Sequence, residues 1–389
     1  MPNLPANDDE ELADDIFGTE AYEAPKPQKK NFSPWHKPRK QFVRQFQWCE
    51  QIEALLGEMR PEGNVLKYLG LPGDDLLDLR YFYSKVCEPK QMRLRFLGFN
   101  RSADPKSSAQ TELNISLDEV RKLSGIDHLS DIIWDDFRLV ANDSSKAWHR
   151  AKDLGPYDII NLDLCDGFGK HEPGVLDDTY YRAVSRLLSL QARNKNPWLL
   201  FLTTRAGKRH VHVDLLQRLL DKYVQNLASC PSFKAASTET FAIADEVALK
   251  VAADTPDGHL AVLLVGLCKW LLGLAVTQQP PSRVEVKSVI GYRIFAGAPH
   301  DDLISLALRF EPTFDPVGDP MGIANHPVVL PSECELAAEA LKQVGQRNCA
   351  DEILSSNPEL QDQMVAAMAD LLKLARYDIT AYHQWLLAG

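Results

Sequence analysis

Residues 157–174, YDIINLDLCDGFGKHEPG, carry the pattern that decides the fold. A largely apolar run ends at an acid, and more acids and glycines follow at once. Such a strand is typical of a parallel sheet covered by helices, in which ligands bind beyond the carboxyl ends of the strands. We therefore expect the residues from Asp163 to Gly169 to lie at a ligand-binding edge.

Further apolar runs alternate with amphipathic helical patterns on both sides of this strand. They cover residues 65–71, 92–99, 136–142 and 197–204. This alternation predicts parallel strands linked by helices. Two β-rich runs follow at residues 283–295 and 302–312, and their short connection predicts an antiparallel hairpin. The expected fold is α/β, with a Rossmann-like, mostly parallel seven-stranded sheet that ends in the hairpin.

Composition limits the classes of partner. The 389-residue chain has 54 acidic and 43 basic side chains and a formal net charge of -11, so contact with a polyanion needs a local basic patch. The seven cysteines include no Cys-x-x-Cys pair, so we expect no disulfide framework, no zinc ribbon and a reducing cytoplasm. The apolar run 260–276 contains Lys269, which favours a buried helix over a membrane span.

The first 44 residues divide into an acidic and a basic block. Blocks of this kind, rich in proline, predict a disordered or extended arm over residues 1–44. The basic block interleaves cations with aromatic rings, a composition that suits single-stranded nucleic acid. Its candidate contacts are Trp35, His36, Lys37, Arg39, Lys40 and Arg44. The alternative is that this block packs across the acidic body of its own protein.

The remaining boundaries follow from changes in pattern. Residues 45–312 are expected to form the α/β domain, and a linker rich in proline and glycine covers residues 313–331. Residues 332–389 have helical apolar spacing and predict a small C-terminal helical domain. These helices either bind a protein partner or pack on the sheet. The N-terminal arm is a second candidate for binding a protein partner.

Five helix-linked strands followed by a hairpin resemble the class I S-adenosylmethionine-dependent methyltransferase fold, over residues 50–311. In that family a glycine-rich turn after the first strand lets the backbone approach the cofactor. The matching turn here runs from Gly70 to Asp74. The resemblance places Asn100 at the ribose and Asn142 with Asp143 at the adenine. It implies S-adenosylmethionine as cofactor, with contacts from Gly70, Pro72, Gly73, Asp74, Asn100, Asn142 and Asp143.

The resemblance also implies that Asp163 and Asp166 are the catalytic candidates. Either can orient a nucleophilic nitrogen or oxygen and accept its proton while the methyl group leaves the sulfonium. The alternative is that the two acids cap the following helix. Cys165 follows a leucine, whereas methyltransferases acting at carbon 5 of pyrimidines place a proline before their nucleophilic cysteine. We therefore expect Cys165 to be a small buried side chain.

A basic cluster follows the fifth predicted strand. Arg205, Lys208 and Arg209 are candidates for a nucleic-acid or anion contact beside the sheet. His210 and His212 follow them without a nearby third ligand, so we expect no metal site.

Two functions agree with these observations, and the sequence leaves open whether the protein is an enzyme. The first is a methyltransferase that acts on or with nucleic acid. The second is a catalytically degenerate methyltransferase fold that serves as a scaffold subunit and binds nucleic acid and protein. The chain is also similar in style to methyltransferase-like proteins of bacterial anti-phage defence islands. The altered turn and Asn100 favour the scaffold, whereas the polar ends of the strands favour the enzyme.

Overall fold

The computed structural model describes residues 29–101, 108–294, 300–313, 321, 323 and 332–388. The acidic block of the expected arm, nearly all of the expected linker and most of the hairpin connection lie outside the described residues. The described part of the chain forms one α/β unit with an eight-stranded mixed sheet and thirteen helices.

The strands are short and largely buried. They are β1 (Val65–Gly70), β2 (Arg93–Phe99), β3 (Asp131–Ile133), β4 (Ile159–Asp163), β5 (Trp198–Arg205), β6 (Ser282–Tyr292), β7 (Leu303–Pro312) and β8 (Asn348–Cys349).

The sheet has the order β3-β2-β1-β4-β5-β7-β6-β8. Strands β1 to β5 are parallel, and β7 runs antiparallel to both β5 and β6. The mostly parallel sheet and its antiparallel hairpin are confirmed, and β8 pairs with β6 as an eighth strand. The chain reverses its direction of winding between β1 and β4, and ligands of such sheets bind outside the carboxyl ends of the strands at this point.

Helices cover both faces of the sheet. The helix α1 runs from Pro38–Val43 through a π-helical turn, Arg44–Cys49, into Glu50–Glu58, and α2 runs from Leu77–Phe82 into a second such turn, Tyr83–Cys87. The others are α3 (Ser108–Arg121), α4 (Lys146–Leu154), α5 (Tyr180–Gln191), α6 (Val213–Ser229), α7 (Pro231–Phe241), α8 (Glu246–Asp254), α9 (Pro256–Val276), α10 (Glu333–Gly345), α11 (Ala350–Ser356), α12 (Pro358–Leu374) and α13 (Ile379–Leu387).

The third strand lies earlier in the chain than expected. We placed it at residues 136–142, but β3 is Asp131–Ile133, and Phe137–Ala141 forms a 3-10 helix. The carboxylate of Asp136 accepts a bond of 2.9 Å from the backbone nitrogen of Arg138, which caps this short helix. The apolar run therefore forms a capped turn and not a strand.

The basic block of the expected arm is folded onto the protein. Its prolines, Pro34 and Pro38, each begin a helical segment, where the missing N–H breaks no hydrogen bond. The prediction of an extended arm is wrong for residues 29–44, and the alternative, packing on the acidic body, describes them. We call residues 29–58 the N-terminal segment.

The C-terminal helices share the core of the sheet. Met364, Met368 and Leu372 of α12 are buried in the same apolar cluster as Trp48 of α1 and the residues on one face of β1. A separate C-terminal domain is therefore not confirmed.

The apolar helix α9 is buried, as expected. It is the one described helix long and apolar enough to cross a membrane by length and composition, and most of that stretch lies inside the protein. Its Lys269 reaches Glu333 at 2.6 Å.

One disulfide departs from the expectation drawn from cysteine spacing. Cys230 and Cys334 are bonded, with Cα atoms 5.8 Å apart, across 104 residues of sequence. The bond joins the start of α7 to the start of α10.

Candidate functional site

The turn after β1 is held by Asn100. Its side-chain nitrogen donates to the backbone oxygen of Pro72 at 3.1 Å and to a carboxylate oxygen of Asp74 at 2.9 Å. Asn100 is only 6% exposed. The amide that the resemblance places at the ribose therefore fixes the shape of the turn that begins at Gly70.

The acids just beyond this turn bind cations of the N-terminal segment. Asp75 forms a salt bridge with Lys29 and accepts a bond of 2.7 Å from the hydroxyl of Tyr377. Asp78, at the start of α2, accepts a bond of 2.7 Å from the guanidinium of Arg44. Lys29 and Arg44 thus balance the negative charges of the acids just beyond the turn.

Asp163 ends β4 as expected, and Lys40 lies on it. The ammonium of Lys40 is 2.6 Å from the Asp163 carboxylate and 3.3 Å from the hydroxyl of Tyr292. The ring of Trp48 lies 4.4 Å from the same nitrogen. We call Asp163, Tyr292 and Trp48 the lysine cage.

The cage keeps Lys40 charged. The Lys40 side chain is only 3% exposed. Burial is the largest single influence and favours the neutral amine, but Asp163, Tyr292 and Asp78 together outweigh it, so the pKa of Lys40 is raised above its ordinary value. No local sequence pattern predicts this contact, because 123 positions separate the two residues.

Asp166 is also fully engaged. It forms a salt bridge with Lys170 and accepts bonds from the Gly167 nitrogen at 2.8 Å and from Nδ1 of His210 at 3.1 Å. Burial opposes ionisation, but these bonds outweigh it and lower the pKa of Asp166 to about 2. Asp166 is therefore a stable anion and a weak base.

The glycines after β4 allow two loops to meet. A Cβ on Gly167 would lie 2.0 Å from the backbone oxygen of His210. Close by, the nitrogen of His212 donates to the oxygen of Gly169 at 2.7 Å. Because these glycines lack side chains, the loop that follows β5 can pack against the loop after β4. The contacts between the two loops hold both in place.

Cys165 is exposed, contrary to the expectation of a buried side chain. Although part of the residue faces solvent, local desolvation of the sulfur and the Asp163 charge raise the pKa of Cys165. A raised pKa disfavours the thiolate that a nucleophilic role requires.

Two of the three cations in the basic cluster after β5 contact the same histidine, His210. Arg205 approaches Nε2 of His210 at 3.4 Å, and Nε of Arg209 approaches the same atom at 3.1 Å. Lys208 donates to the backbone oxygen of Asp254 at 3.0 Å. Within the described ranges none of these three cations forms a salt bridge with a carboxylate.

The residues expected at the adenine lie away from the end of β3. The side-chain oxygen of Asn142 accepts a bond of 3.0 Å from Ser144, and Asp143 pairs with Arg186 of α5. The acids that follow β3 are Asp135 and Asp136, and we assigned Asp136 to a strand because β3 is too short to recognise from its apolar pattern.

The remaining predicted contacts of the arm are used inside the protein or lie at its surface. His36 is 1% exposed. Lys37 lies 4.0 Å from the indole ring of α13, and Arg39 reaches a carboxylate of α11 at 3.1 Å. Trp35 is 50% exposed. The basic side chains of this block are thus mostly committed to internal contacts.

Comparison with known families covers nearly the whole described chain. Residues 29–387 match the PP_RS20740-like family. The chain belongs to this family. The match includes the N-terminal segment and the C-terminal helices together with the sheet, so the lysine cage lies within one family unit. No curated protein matches the sequence.

The residues at this edge do not fit S-adenosylmethionine in the observed conformation. The cofactor carries a sulfonium and an ammonium, and the Lys40 ammonium already lies on Asp163, where it would repel both. Of two surface cavities of about 380 and 600 Å³, the first lies between the start of α1 and the helices α11 and α12, and the second between α12 and the start of α13.

Proposed function

We propose that this protein is a methyltransferase-like binding subunit whose ligand edge is closed by its own N-terminal segment. The observation that carries the proposal is the buried pair of Lys40 and Asp163 at the end of β4. Lys40 is buried and Asp163 is about three-quarters buried, so separating them would leave the Lys40 ammonium uncompensated inside the protein, which is unfavourable and stabilises the closed arrangement.

Neither candidate acid is suited to methyl transfer in this arrangement. A general base must reach the proton of its substrate and have a pKa near the working pH. Asp163 contacts an ammonium that stays protonated, and the pKa of about 2 makes Asp166 a poor proton acceptor. This supports the scaffold function over constitutive catalysis.

Nucleic acid is the proposed ligand, but through a different surface from the arm. The arm cations are mostly bound within the protein, whereas Arg205, Lys208 and Arg209 have no carboxylate partner among the described residues. In a chain with a net charge of -11, such a cluster is the kind of local basic patch that a phosphate backbone requires.

Calorimetric titration with S-adenosylmethionine and S-adenosylhomocysteine tests the proposal. We expect no heat of binding from the folded, cofactor-free protein at micromolar to millimolar ligand. Lys90→Ala, which removes an exposed lysine before β2, serves as the control and should behave like the natural chain. Micromolar binding by the natural chain would contradict the proposed scaffold role.

A gated methyltransferase is the second candidate, and the lysine cage favours it. A carboxylate beside two aromatic rings is a cation-binding arrangement that Lys40 now fills. If Lys40→Ala binds S-adenosylmethionine and the natural chain does not, displacement of the N-terminal segment would act as the gate.

A further inference from the structure

We propose that Arg205 and Arg209 form a binding site for a phosphate group beyond the carboxyl end of β5. The inference rests on the binding role proposed above and deepens it by naming the chemical group that is bound. It uses residues that take no part in the lysine cage.

The two guanidinium groups share a single acceptor. Nδ1 of His210 is 3.1 Å from Asp166, and a carboxylate only accepts, so Nδ1 is the donor in this contact. Nε2 then offers one lone pair, which both Arg205 and Arg209 approach. Two cations directed at one nitrogen repel each other, and His210 is the one side-chain acceptor that either guanidinium has among the described residues.

Unfilled donors point to a missing anion. Nε of Arg205 is inaccessible to solvent and has no hydrogen-bond partner among the described residues. A phosphate oxygen accepts strong bonds from a guanidinium, and two oxygens can engage one arginine together. A phosphate between Arg205 and Arg209 would accept bonds from their other guanidinium nitrogens and offset their mutual repulsion, and it could reach Nε of Arg205 once the side chain turns toward it.

The local charge favours an anion despite one nearby acid. The negative charge of Asp166 is offset by its salt bridge with Lys170, and its contact in this loop is with His210 and not with Arg205 or Arg209. Lys208 adds a further cation to the same loop, where its ammonium contacts only a backbone oxygen in the described structure.

The site is held by rigid elements. Arg205 is the last residue of β5, and the nitrogen of Ala206 donates to the oxygen of Asp302 at 3.1 Å. The contact between Gly167 and His210 fixes the other side of the loop. Arg209 is exposed, so a phosphate can enter from solvent.

The phosphate can belong to a nucleic-acid backbone or to a free nucleotide. Three probes distinguish these sources: inorganic phosphate, ATP and a single-stranded oligonucleotide of mixed sequence. The test variant is Arg205→Gln with Arg209→Gln in the full chain. The matched control is Arg60→Gln with Lys90→Gln, which removes two exposed cations that precede β1 and β2 at the opposite edge of the sheet.

We expect the natural chain and the control to bind the oligonucleotide equally, and the test variant to bind it at least tenfold more weakly. Loss of two backbone contacts should also lower the slope of log K against log salt by about 1.4 for a single strand. Binding of ATP and phosphate without the oligonucleotide would support the site and assign it to a free nucleotide.

Two results would overturn the site. One is that the natural chain binds none of the three probes, and the other is that test and control variants lose binding equally. Should the double variant fail to fold, Arg209→Gln alone changes only an exposed side chain and should still weaken binding. Failure here leaves the titration with S-adenosylmethionine unaffected, so the two proposals fail separately.

Discussion

At the scale of single residues, three acids near the turn after β1 and the end of β4 each bond to one cation of the N-terminal segment. The pairs are Asp75 with Lys29, Asp78 with Arg44 and Asp163 with Lys40. Paired charges with so little exposed surface are only weakly screened by salt. Each of these three cations of the N-terminal segment therefore has its own acid partner at the ligand edge.

Asp158 gives the fold a distinctive pH dependence. It is buried just before β4 and accepts a bond of 2.8 Å from the nitrogen of Lys67. Burial raises the pKa of Asp158 to about 6, so the folded state binds this proton more tightly than the unfolded state does. The contribution of Asp158 to the free energy of unfolding should therefore fall as pH rises from about 4 to about 6.

Replacing Asp158 with Asn should remove this dependence. Asn keeps an acceptor for Lys67 and has no charge to desolvate, so we expect Asp158→Asn to be more stable than the natural chain at pH 8. A difference of about two pKa units corresponds to at most about 3 kcal/mol. Urea unfolding of both proteins from pH 4 to pH 8 measures it. A stability difference that stays constant over this range would contradict the assigned cause.

At the scale of elements, the contact between the loops after β4 and β5 depends on Gly167. We expect Gly167→Ala to lower stability by about 1 to 3 kcal/mol, because its Cβ would overlap the backbone oxygen of His210 and push the loops apart. Gly73→Ala is the matched control, since a Cβ at Gly73 meets nothing within 4 Å. Thermal unfolding compares the two.

Amide hydrogen exchange shows which part of the protein the Gly167→Ala substitution destabilises. Gly167→Ala should speed exchange at His212, whose nitrogen bonds to Gly169, while Gly73→Ala leaves it unchanged. Equal stability of the two variants would mean that the loops are not held together at Gly167.

Sequence patterns predicted those elements whose signals are local. The apolar runs located β1, β2, β4 and β5 within about two residues, and their carboxyl ends placed Asp163 correctly. The third strand was misplaced because β3 has only three residues, whereas the apolar run after it is longer. The bond from the Arg138 nitrogen to the Asp136 carboxylate makes this run begin as a 3-10 helix. Hydrophobic periodicity carries no information about such a side-chain contact.

At the scale of the whole molecule, the sequence displays opposite charges but not their pairing. A basic block and an acidic body are visible in the chain, and both an extended arm and an internal contact agree with them. Lys40 and Asp163 are 123 positions apart, so no local stretch of sequence contains both partners. The role of Asp163 depends on its long-range pair with Lys40, and no local sequence pattern encodes that pair.

We expect the ligand edge and the N-terminal segment to form one closed structure. Both candidate acids are engaged, the turn after β1 is held by Asn100, and the exposed cations lie beyond β5. We expect the proposed binding of phosphate and the closure of the ligand edge to use neighbouring but separate parts of the sheet.

Reductive methylation of lysines, read by mass spectrometry, tests closure of the edge most directly. Lys90 and Lys208 are exposed and should react, whereas Lys40 should stay unmodified in the folded protein because its ammonium is buried on Asp163. Unfolding in urea should make all three react, which shows that Lys40 is reachable by the reagent. Modification of Lys40 in the folded protein at the rate of Lys90 would contradict the closed edge.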